Sequence, residues 1–203
     1  MRKRLFFHEP TFFPSAFFFH GLLNSDVWVV LDHIPFTPRT VLNQCRIRTH
    51  GGVQILRVAV KPPCSKPICR MMINNFHPWK KTFLDVLRKE YKDAPYYMDY
   101  ISEVEYIING PCTVLEMFNV QIILWVSALF GVEPNTVFSR DFYRKYPKSL
   151  AVKALCRKLD GINYVPKVET PELKAVIAEN LFVLDVLFRT GAEEARRMLY
   201  EKK

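Results

Sequence analysis

The amino-acid sequence predicts an α/β fold, with a mainly parallel sheet flanked by helices, an added antiparallel hairpin and a helical C-terminal region. Two apolar runs, Leu5 to Phe7 and Val27 to Leu31, are separated by a segment long enough for one helix, which is the pattern of a βαβ unit. A His50-Gly51-Gly52 turn between two further apolar segments indicates the hairpin. With 203 residues, the chain is predicted to form one domain over residues 1–203.

The first βαβ unit is predicted from its capping residue and its two strands. Ser15 caps a helix from Ala16 to Leu23, after a loop whose prolines exclude regular helix. The Val27 to Leu31 run is apolar without alternation, which is typical of a strand covered on both faces. We therefore expect the two strands to lie side by side in one parallel sheet.

The segment after residue 36 predicts strands of a different kind. Ile47 to Thr49 and Val53 to Val60 flank the turn and are expected to pair antiparallel. Ile68 to Ile73 is a further strand candidate, and it follows a proline-rich loop that should be exposed.

Three helices are predicted between residues 79 and 131 from apolar residues at helical spacing. The first carries Trp79 to Leu87, and the second carries Tyr97 to Ile108. The third begins with Thr113 and Glu116, which have the spacing of a capping box. Its uncharged stretch, Met117 to Val132, is shorter than the ~20 residues that a membrane crossing needs, so we expect a buried helix.

The remaining elements return to the order strand, helix, strand. Thr136 to Phe138 and Ile162 to Val165 are predicted strands, and the helix between them is capped by Ser149. A helical region then runs from Pro171 to Leu187, and Gly191 separates it from a last amphipathic segment.

The charge of the chain favours an anionic partner. It has 29 Lys and Arg against 20 Asp and Glu, a formal net charge of +9. Such an excess attracts anions over long range, so the expected partner is an anionic small molecule, a nucleotide-linked substrate or a tRNA. Part of the excess lies near the two ends of the chain, where charge often serves only to solvate it, and this alternative remains open.

The cysteines and the start of the chain predict a cytoplasmic protein. Five cysteines without regular spacing are typical of reduced thiols, and none of their spacings predicts a metal site. The basic start imitates a signal peptide, but His8, Glu9 and Pro10 interrupt the apolar run that follows it. No membrane insertion is expected.

The ends of the first two predicted strands carry the candidate catalytic residues. His8 follows the first strand and Asp32 the second, and open α/β sheets bind ligands at the carboxyl ends of their strands. A neutral imidazole accepts a proton from an attacking amine, and a carboxylate orients the ring. Glu9 is a lesser candidate acid. The alternatives are a histidine packed among phenylalanines and an aspartate that forms a turn.

A polar block before the hairpin supplies candidate ligands for an anion. Arg46 and Arg48 alternate along an extended segment, so they should share one face and hold a phosphate or carboxylate. Asn43 precedes them, and Arg39 and Lys61 are near enough in sequence to assist. We expect Arg46 to converge with His8 and Asp32 on one cleft. The alternative is an edge strand that uses charge to prevent aggregation.

Asn119 lies within the apolar stripe of the third helix, so it needs hydrogen-bond partners if it is buried. It either pins a neighbouring loop or reaches into the site to bind substrate, and the structural role is favoured. The sequence contains no Gly-rich phosphate loop, nucleophile elbow or HExxH motif, and it indicates no particular cofactor.

Several segments, taken in order, resemble those of the WbqC-like family: a His-Glu-Pro loop, an apolar strand bounded by aspartates, an Asn-Gln-Cys-Arg-Ile block and a late Leu-Asp-Val-Leu-Phe segment. These segments are His8 to Pro14, Asn24 to Asp32, Asn43 to Ile47 and Leu184 to Phe188. The resemblance spans nearly the whole chain. Glu9 and Cys45 depart from it, because the family has glutamine and asparagine there.

The resemblance implies an enzyme of bacterial surface-polysaccharide biosynthesis, including O-antigen, and specifically a transferase that acylates or aminoacylates an amine on a sugar or related metabolite. Two alternatives remain: a nucleic-acid-binding module that uses a basic face, and a non-catalytic partner in a biosynthetic complex. Basic residues in one groove beside exposed rings would favour nucleic acid, whereas a closed cleft around His8 and Asp32 would favour the enzyme.

Overall fold

The computed structural model describes residues 2–63, 66–142, 148–168, 171–178 and 181–200. The elements follow one another as β1 (Lys3–His8), α1 (Ala16–Leu23), β2 (Val27–Val30), β3 (Gln44–Thr49), β4 (Gly52–Arg57), α2 (Trp79–Tyr91), α3 (Tyr97–Asn109), α4 (Leu115–Leu129), β5 (Thr136–Phe138), α5 (Lys148–Lys158), β6 (Gly161–Asn163), α6 (Pro171–Ala178) and α7 (Val183–Leu199). This is an α/β fold, as the sequence predicts.

Four strands form a parallel sheet in the order β5-β2-β1-β6. Within it β1 pairs with β2 over four residues, from Leu5 opposite Val27 to His8 opposite Val30. The prediction that these two apolar runs are parallel neighbours is confirmed. β2 is buried along its whole length because it lies between two strands and carries helices on both faces.

Alternate residues of β1 and β2 pack into two separate cores. Phe6 and Trp28 face α1 and belong to the larger core, whereas Leu5 and Val27 pack against Leu155 of α5. The approach of α1 to β1 depends on Gly21, since a Cβ at that position would lie 2.5 Å from the Phe6 ring. The sheet is thus covered by α1 on one face and α5 on the other.

The strand order creates a crevice between β2 and β5. After β2 the chain continues into the hairpin and helices of the larger core on the α1 face, whereas after β5 it continues into α5 on the opposite face. Adjacent parallel strands whose connections leave to opposite faces form a topological switch point, which is where open α/β sheets bind ligands. The carboxyl ends of β2 and β5 are therefore the expected position of a ligand-binding site.

β3 and β4 form a separate antiparallel hairpin around the predicted turn. Cys45 and Ile47 face the core, and Arg46 and Arg48 lie on the opposite face, as the predicted alternation requires. Gly52 closes the turn with φ 119°, a backbone conformation that residues with a side chain rarely adopt.

Some sequence predictions are wrong in detail. The Ile68 to Ile73 segment is not a strand, because it begins with a short 3-10 helix at Ile68–Arg70 and only Met72 and Ile73 make isolated bridges. The Thr113 and Glu116 capping box does not form. α4 begins at Leu115 with no side-chain cap, and Glu116 contacts other residues instead.

The C-terminal region is helical, as predicted, but it consists of two helices. Residues 179 and 180, between α6 and α7, lie outside the described residues, as does residue 170. Gly191 interrupts α7 with φ 75°, which confirms the predicted separation at this residue. Within the described parts of the chain, no helix is both long and apolar enough to cross a bilayer.

Candidate functional site

Polar residues follow three adjacent strands at the carboxyl edge of the parallel sheet. His8 is the last residue of β1, Asp32 lies two residues beyond β2, and Ser139 and Arg140 follow β5 directly. Since β2 lies between β1 and β5, the three strand ends form one continuous edge. Asp32 and Arg140 belong to the two strands that form the switch point.

The carboxylate of Asp32 is fully buried and is held by the segment after β5. Its Oδ1 accepts hydrogen bonds from the Ser139 hydroxyl and from the Arg140 backbone N–H, each at 2.9 Å. Its Oδ2 forms an ion pair with the Arg140 Nη1 at 2.8 Å, without hydrogen-bond geometry. The ring Nδ1 of His33 lies 2.6 Å from the Ser139 Oγ. These contacts join the ends of β2 and β5 through polar side chains.

Arg140 connects Asp32 to a second buried carboxylate. Its Nη1 lies 3.0 Å from Oε2 of Glu116, at the start of α4. The Arg140 side chain itself is 39% exposed and lies over the Phe138 ring at 4.7 Å. Burial raises the pKa of Glu116, and Arg140 opposes that rise by its positive charge. We call Asp32, Glu116, Ser139 and Arg140 the switch-point cluster.

His8 lies on the α1 side of the sheet edge and remains 27% exposed. Its ring packs edge-on against Phe18 at 4.9 Å, and its Nδ1 lies 2.9 Å from the Glu9 carbonyl oxygen. A carbonyl only accepts, so this contact favours the tautomer with the proton on Nδ1 and the lone pair on Nε2. The Glu9 carboxylate is 3.6 Å from the same nitrogen. The contact with the Glu9 carbonyl therefore fixes the orientation of the ring.

A cavity of about 200 Å³ lies beside His8 and extends to the hairpin. The loop after β1, α1, β3 and Phe182 contribute its lining. His8 and Arg46 both line it, so the structure brings together two of the three residues expected to converge. Asp32 does not line the cavity, because the switch-point cluster holds its carboxylate.

Arg48 shares a face with Arg46 but does not share its surroundings. Its backbone N–H donates to the Tyr91 hydroxyl at 3.1 Å, and its Nε lies 3.4 Å from the buried carboxylate of Asp185. The Tyr91 hydroxyl donates to the same carboxylate at 2.8 Å. This network attaches β3 to α2 and α7, and the predicted pair of guanidiniums is divided between the cavity and the network.

Three other predicted ligands lie away from the cavity. Arg39 and Asn43 line a second cleft of about 520 Å³ between the hairpin and α2. Asn43 is buried, donates to the Val58 carbonyl at 3.1 Å and accepts from the Arg39 backbone N–H at 3.1 Å. Lys61 is exposed and lies 5.8 Å from the centre of the Phe76 ring.

Asn119 pins two loops to α4. Its buried amide donates to the Pro10 and Leu42 carbonyls, each at 2.8 Å. Pro10 belongs to the loop that carries the cavity, and Leu42 precedes β3, so one side chain fixes both walls. Asn119 therefore has the structural role that its place in the apolar stripe favours.

Replacing Asn119 with leucine is expected to lower the free energy of unfolding by about 2–3 kcal/mol, because two buried carbonyls lose their donors. Urea denaturation measures this loss. Ser127→Ala is a matched control on the same helix, since Ser127 is buried but makes only the local bond to the Ile123 carbonyl. It should cost about 0.5–1.5 kcal/mol. Equal losses for the two variants would contradict the pinning role of Asn119.

Cys45 also lines the cavity, but its thiol is a poor nucleophile. It is buried, and burial raises the pKa of the Cys45 thiol far above its usual range. Within the described ranges, no three His, Cys, Asp or Glu side chains form a group that could hold a metal ion.

Ser139, Arg140 and the contact made by Glu116 were not predicted from the sequence. The signal for the first two was their place directly after a predicted strand, Thr136 to Phe138. The same rule had selected His8 and Asp32. Glu116 has the spacing of a capping residue, and nothing in the sequence distinguishes that role from an ion pair formed 24 residues away.

The chain matches a protein-family model over most of its length. The model described as the WbqC-like protein family matches residues 9–175. The matched region includes Arg46 and the whole switch-point cluster, and it begins one residue after His8. No curated protein and no solved structure matches the chain.

Proposed function

This chain belongs to the WbqC-like protein family, and we propose that it is a biosynthetic transferase that acylates or aminoacylates an amine on a sugar or related metabolite. The observation that carries the proposal is that His8 and Arg46 line one cavity. A base and an anion-binding side chain on the same cavity are what acyl transfer to an amine requires when the donor or the acceptor is anionic.

The size of the cavity limits what it encloses. At about 200 Å³ it is smaller than the ~300–1,000 Å³ typical of sites that surround a whole drug-sized ligand. It therefore accommodates the reacting end of a substrate, while a phosphate or nucleotide portion extends past Arg46 towards solvent. Arg46 is exposed, so it remains accessible to such an anion.

In the proposed reaction, His8 acts as the general base. The amine nitrogen attacks the acyl carbon, a C–N bond forms, and the bond from that carbon to the leaving oxygen or sulfur breaks. The Nε2 of His8 takes the proton lost by the nitrogen and returns it to the leaving group. Glu9 lies 3.6 Å from Nδ1 and stabilises the positive ring between these two transfers.

Asp32 has a different role in this proposal from the one expected of it. It does not orient His8 directly, because its carboxylate binds Ser139 and Arg140. It fixes the end of β2, which pairs with the end of β1 where His8 lies: the Leu31 N–H donates to the His8 carbonyl at 3.0 Å. Asp32 is therefore a positioning residue.

The proposal is tested by direct detection of transfer. The protein is incubated with nucleotide-linked amino sugars and with either an acyl thioester of coenzyme A or an aminoacyl-tRNA. Mass spectrometry then measures whether the sugar gains the mass of the acyl group. Transfer that requires the protein supports the proposal. Absence of transfer across all donor and acceptor pairs, with the protein folded, contradicts it.

Replacing Arg46 with alanine is expected to weaken substrate binding by about 1.5–3 kcal/mol, the range for a charged hydrogen bond, with little change in kcat. The matched control is Arg57→Ala, which removes a guanidinium from the same face of the hairpin but outside the cavity. Steady-state kinetics on both variants measures KM and kcat separately. A KM unchanged by Arg46→Ala would remove Arg46 from the site.

A nucleic-acid-binding module is the second candidate, and one observation favours it. Phe76 is 93% exposed, and it lines a groove with Lys80, Lys81 and Arg88. Exposed rings beside basic residues stack on single-stranded bases. Two of these positive charges are neutralised, since Asp85 pairs with Lys81 and Glu105 pairs with Arg88. Tight binding of a single-stranded oligonucleotide at physiological salt, lost in Phe76→Ala, would favour this function.

A further inference from the structure

The outer edge of β4 has unpaired backbone groups. The register of the hairpin makes hydrogen-bonded pairs of Thr49 with Gly52 and of Ile47 with Gln54, so the odd residues of β4 point away from β3. These are Val53, Ile55 and Arg57. No described residue makes a hydrogen bond to the N–H or C=O group of any of the three.

The same edge is paired further along the chain. The Asn74 N–H donates to the Ala59 carbonyl at 2.8 Å, and the Lys61 N–H donates to the Met72 carbonyl at 2.8 Å. The strand edge is therefore suited to antiparallel pairing, and its own chain covers it only beyond Arg57. An open edge of this kind is a template for another strand.

The second cleft lies along this open edge. Gln54–Arg57 line it on one side and Trp79, Thr82 and Phe83 of α2 on the other, with a volume of about 520 Å³. Arg39, Arg57 and His77 also line it, and none of its described lining residues is acidic. Val53 and Ile55 beside it are 50% and 40% exposed. The cleft thus combines backbone partners, exposed aliphatic side chains and positive charge.

We propose that the cleft between β4 and α2 binds an extended acidic peptide segment of a partner protein, which adds to β4 as a further strand. Backbone hydrogen bonds to Val53, Ile55 and Arg57 would provide affinity, and carboxylates of the peptide would pair with Arg39 and Arg57. This interaction goes beyond the proposed transfer reaction and uses a cleft separate from the cavity at His8.

Charge selects this occupant over a second copy of the chain. Two copies pairing through β4 would bring two guanidinium-bearing hairpin faces together, each with Arg46, Arg48 and Arg57. Each copy also carries a net charge of +9. Like charges placed opposite one another destabilise strand pairing, whereas an acidic strand is attracted.

The test uses fluorescence anisotropy with labelled octapeptides of alternating sequence. A glutamate–valine peptide is expected to bind at least about tenfold more tightly than a lysine–valine peptide. Methylation of alternate backbone nitrogens in the glutamate–valine peptide should reduce binding by a similar factor, because it removes the donors that an added strand uses. Equal binding of the three peptides would overturn the proposal.

Variants of the protein test the same contacts from the other side. Ile55→Pro removes an N–H that β3 does not use, so it blocks the edge without breaking the hairpin ladder. Arg57→Glu reverses a charge in the cleft. The charge-matched control is Lys153→Glu, since Lys153 is an exposed residue of α5 outside the cleft.

Both cleft variants should weaken peptide binding at least about tenfold, and the control should not. Binding unaffected by Arg57→Glu would overturn the proposal, as would self-association in sedimentation that Ile55→Pro abolishes. If Ile55→Pro does not fold, the methylated peptide tests the backbone contact on the native protein. Acyl transfer to an amine is measured in a separate assay, so either proposal can fail alone.

Discussion

Replacing His8 with alanine is expected to reduce the rate of acyl transfer to the amine by about 10²–10⁴-fold, the usual contribution of a positioned general base. The loss should appear in kcat, because the ring acts on the proton that leaves the nitrogen and not on the anionic part of the substrate. The fold should persist, since the His8 side chain is partly exposed at a strand end and its main packing partner is the Phe18 ring.

The control for this prediction is a variant that preserves shape but cannot take up a proton. His8→Gln retains a polar side chain near the Glu9 carbonyl, and it should be as inactive as His8→Ala. Thermal unfolding of both variants, measured beside transfer rates, separates lost chemistry from lost structure. A rate within a few-fold of the native protein in either variant would show that His8 is only a packed residue.

Replacing Arg140 with methionine is expected to lower the free energy of unfolding by about 3 kcal/mol. The change leaves the buried carboxylates of Asp32 and Glu116 without their cation, and breaking a buried pair typically costs ~3–5 kcal/mol. We expect the lower end of this range because the Arg140 side chain is 39% exposed and solvent screens it. Urea denaturation of the variant, with Arg157→Met on the exposed face of α5 as control, measures the difference.

The Arg140 prediction includes a pH dependence. Burial raises the pKa of Glu116, so at a pH between the unfolded and the folded pKa the folded state holds a proton there that the unfolded state has released. The contribution of Glu116 to the free energy of unfolding is fully present at low pH. It falls as the pH rises from the pKa of Glu116 in the unfolded state to its higher pKa in the folded state. Removing Arg140 raises that pKa further, so the variant should lose most stability above this window. A loss that is the same at low and neutral pH would contradict this account of the cluster.

Local pattern was sufficient to predict the elements of the sheet. β1, α1 and β2 are predicted within one or two residues because uninterrupted apolar runs have few alternative structures, although the Ser15 side chain makes no capping hydrogen bond to α1. The strand predicted at Ile68 to Ile73 fails because its first three residues form a 3-10 helix against α4, and only Met72 and Ile73 make β-bridges, each of them isolated. Short apolar runs do not indicate by themselves whether a neighbouring strand exists.

The sequence predicted His8 at a strand end and Arg46 on the outer face of an extended segment, and the structure confirms both positions. His8 and Arg46 were selected by position, and the cavity they share follows from the loop after β1 meeting β3. The partners of Asp32 could not be inferred, because Ser139 and Arg140 lie 107 and 108 residues further along the chain. Asp32 meets Ser139 and Arg140 because β5 lies beside β2. The sequence alone does not show that these two strands are neighbours.

That strand order also has a consequence for how the protein is made. β1 gains its second neighbour only when β6 is synthesised, about 130 residues after β2 is complete. β2 gains its second neighbour, β5, about 105 residues after β2 is complete. At ~5–20 residues per second, β2 therefore waits roughly 5–21 seconds for β5, and β1 waits roughly 6–26 seconds for β6. During these intervals each strand has an open edge and strongly apolar side chains, so slower translation before residue 161 would lengthen the exposure of the nascent chain to aggregation.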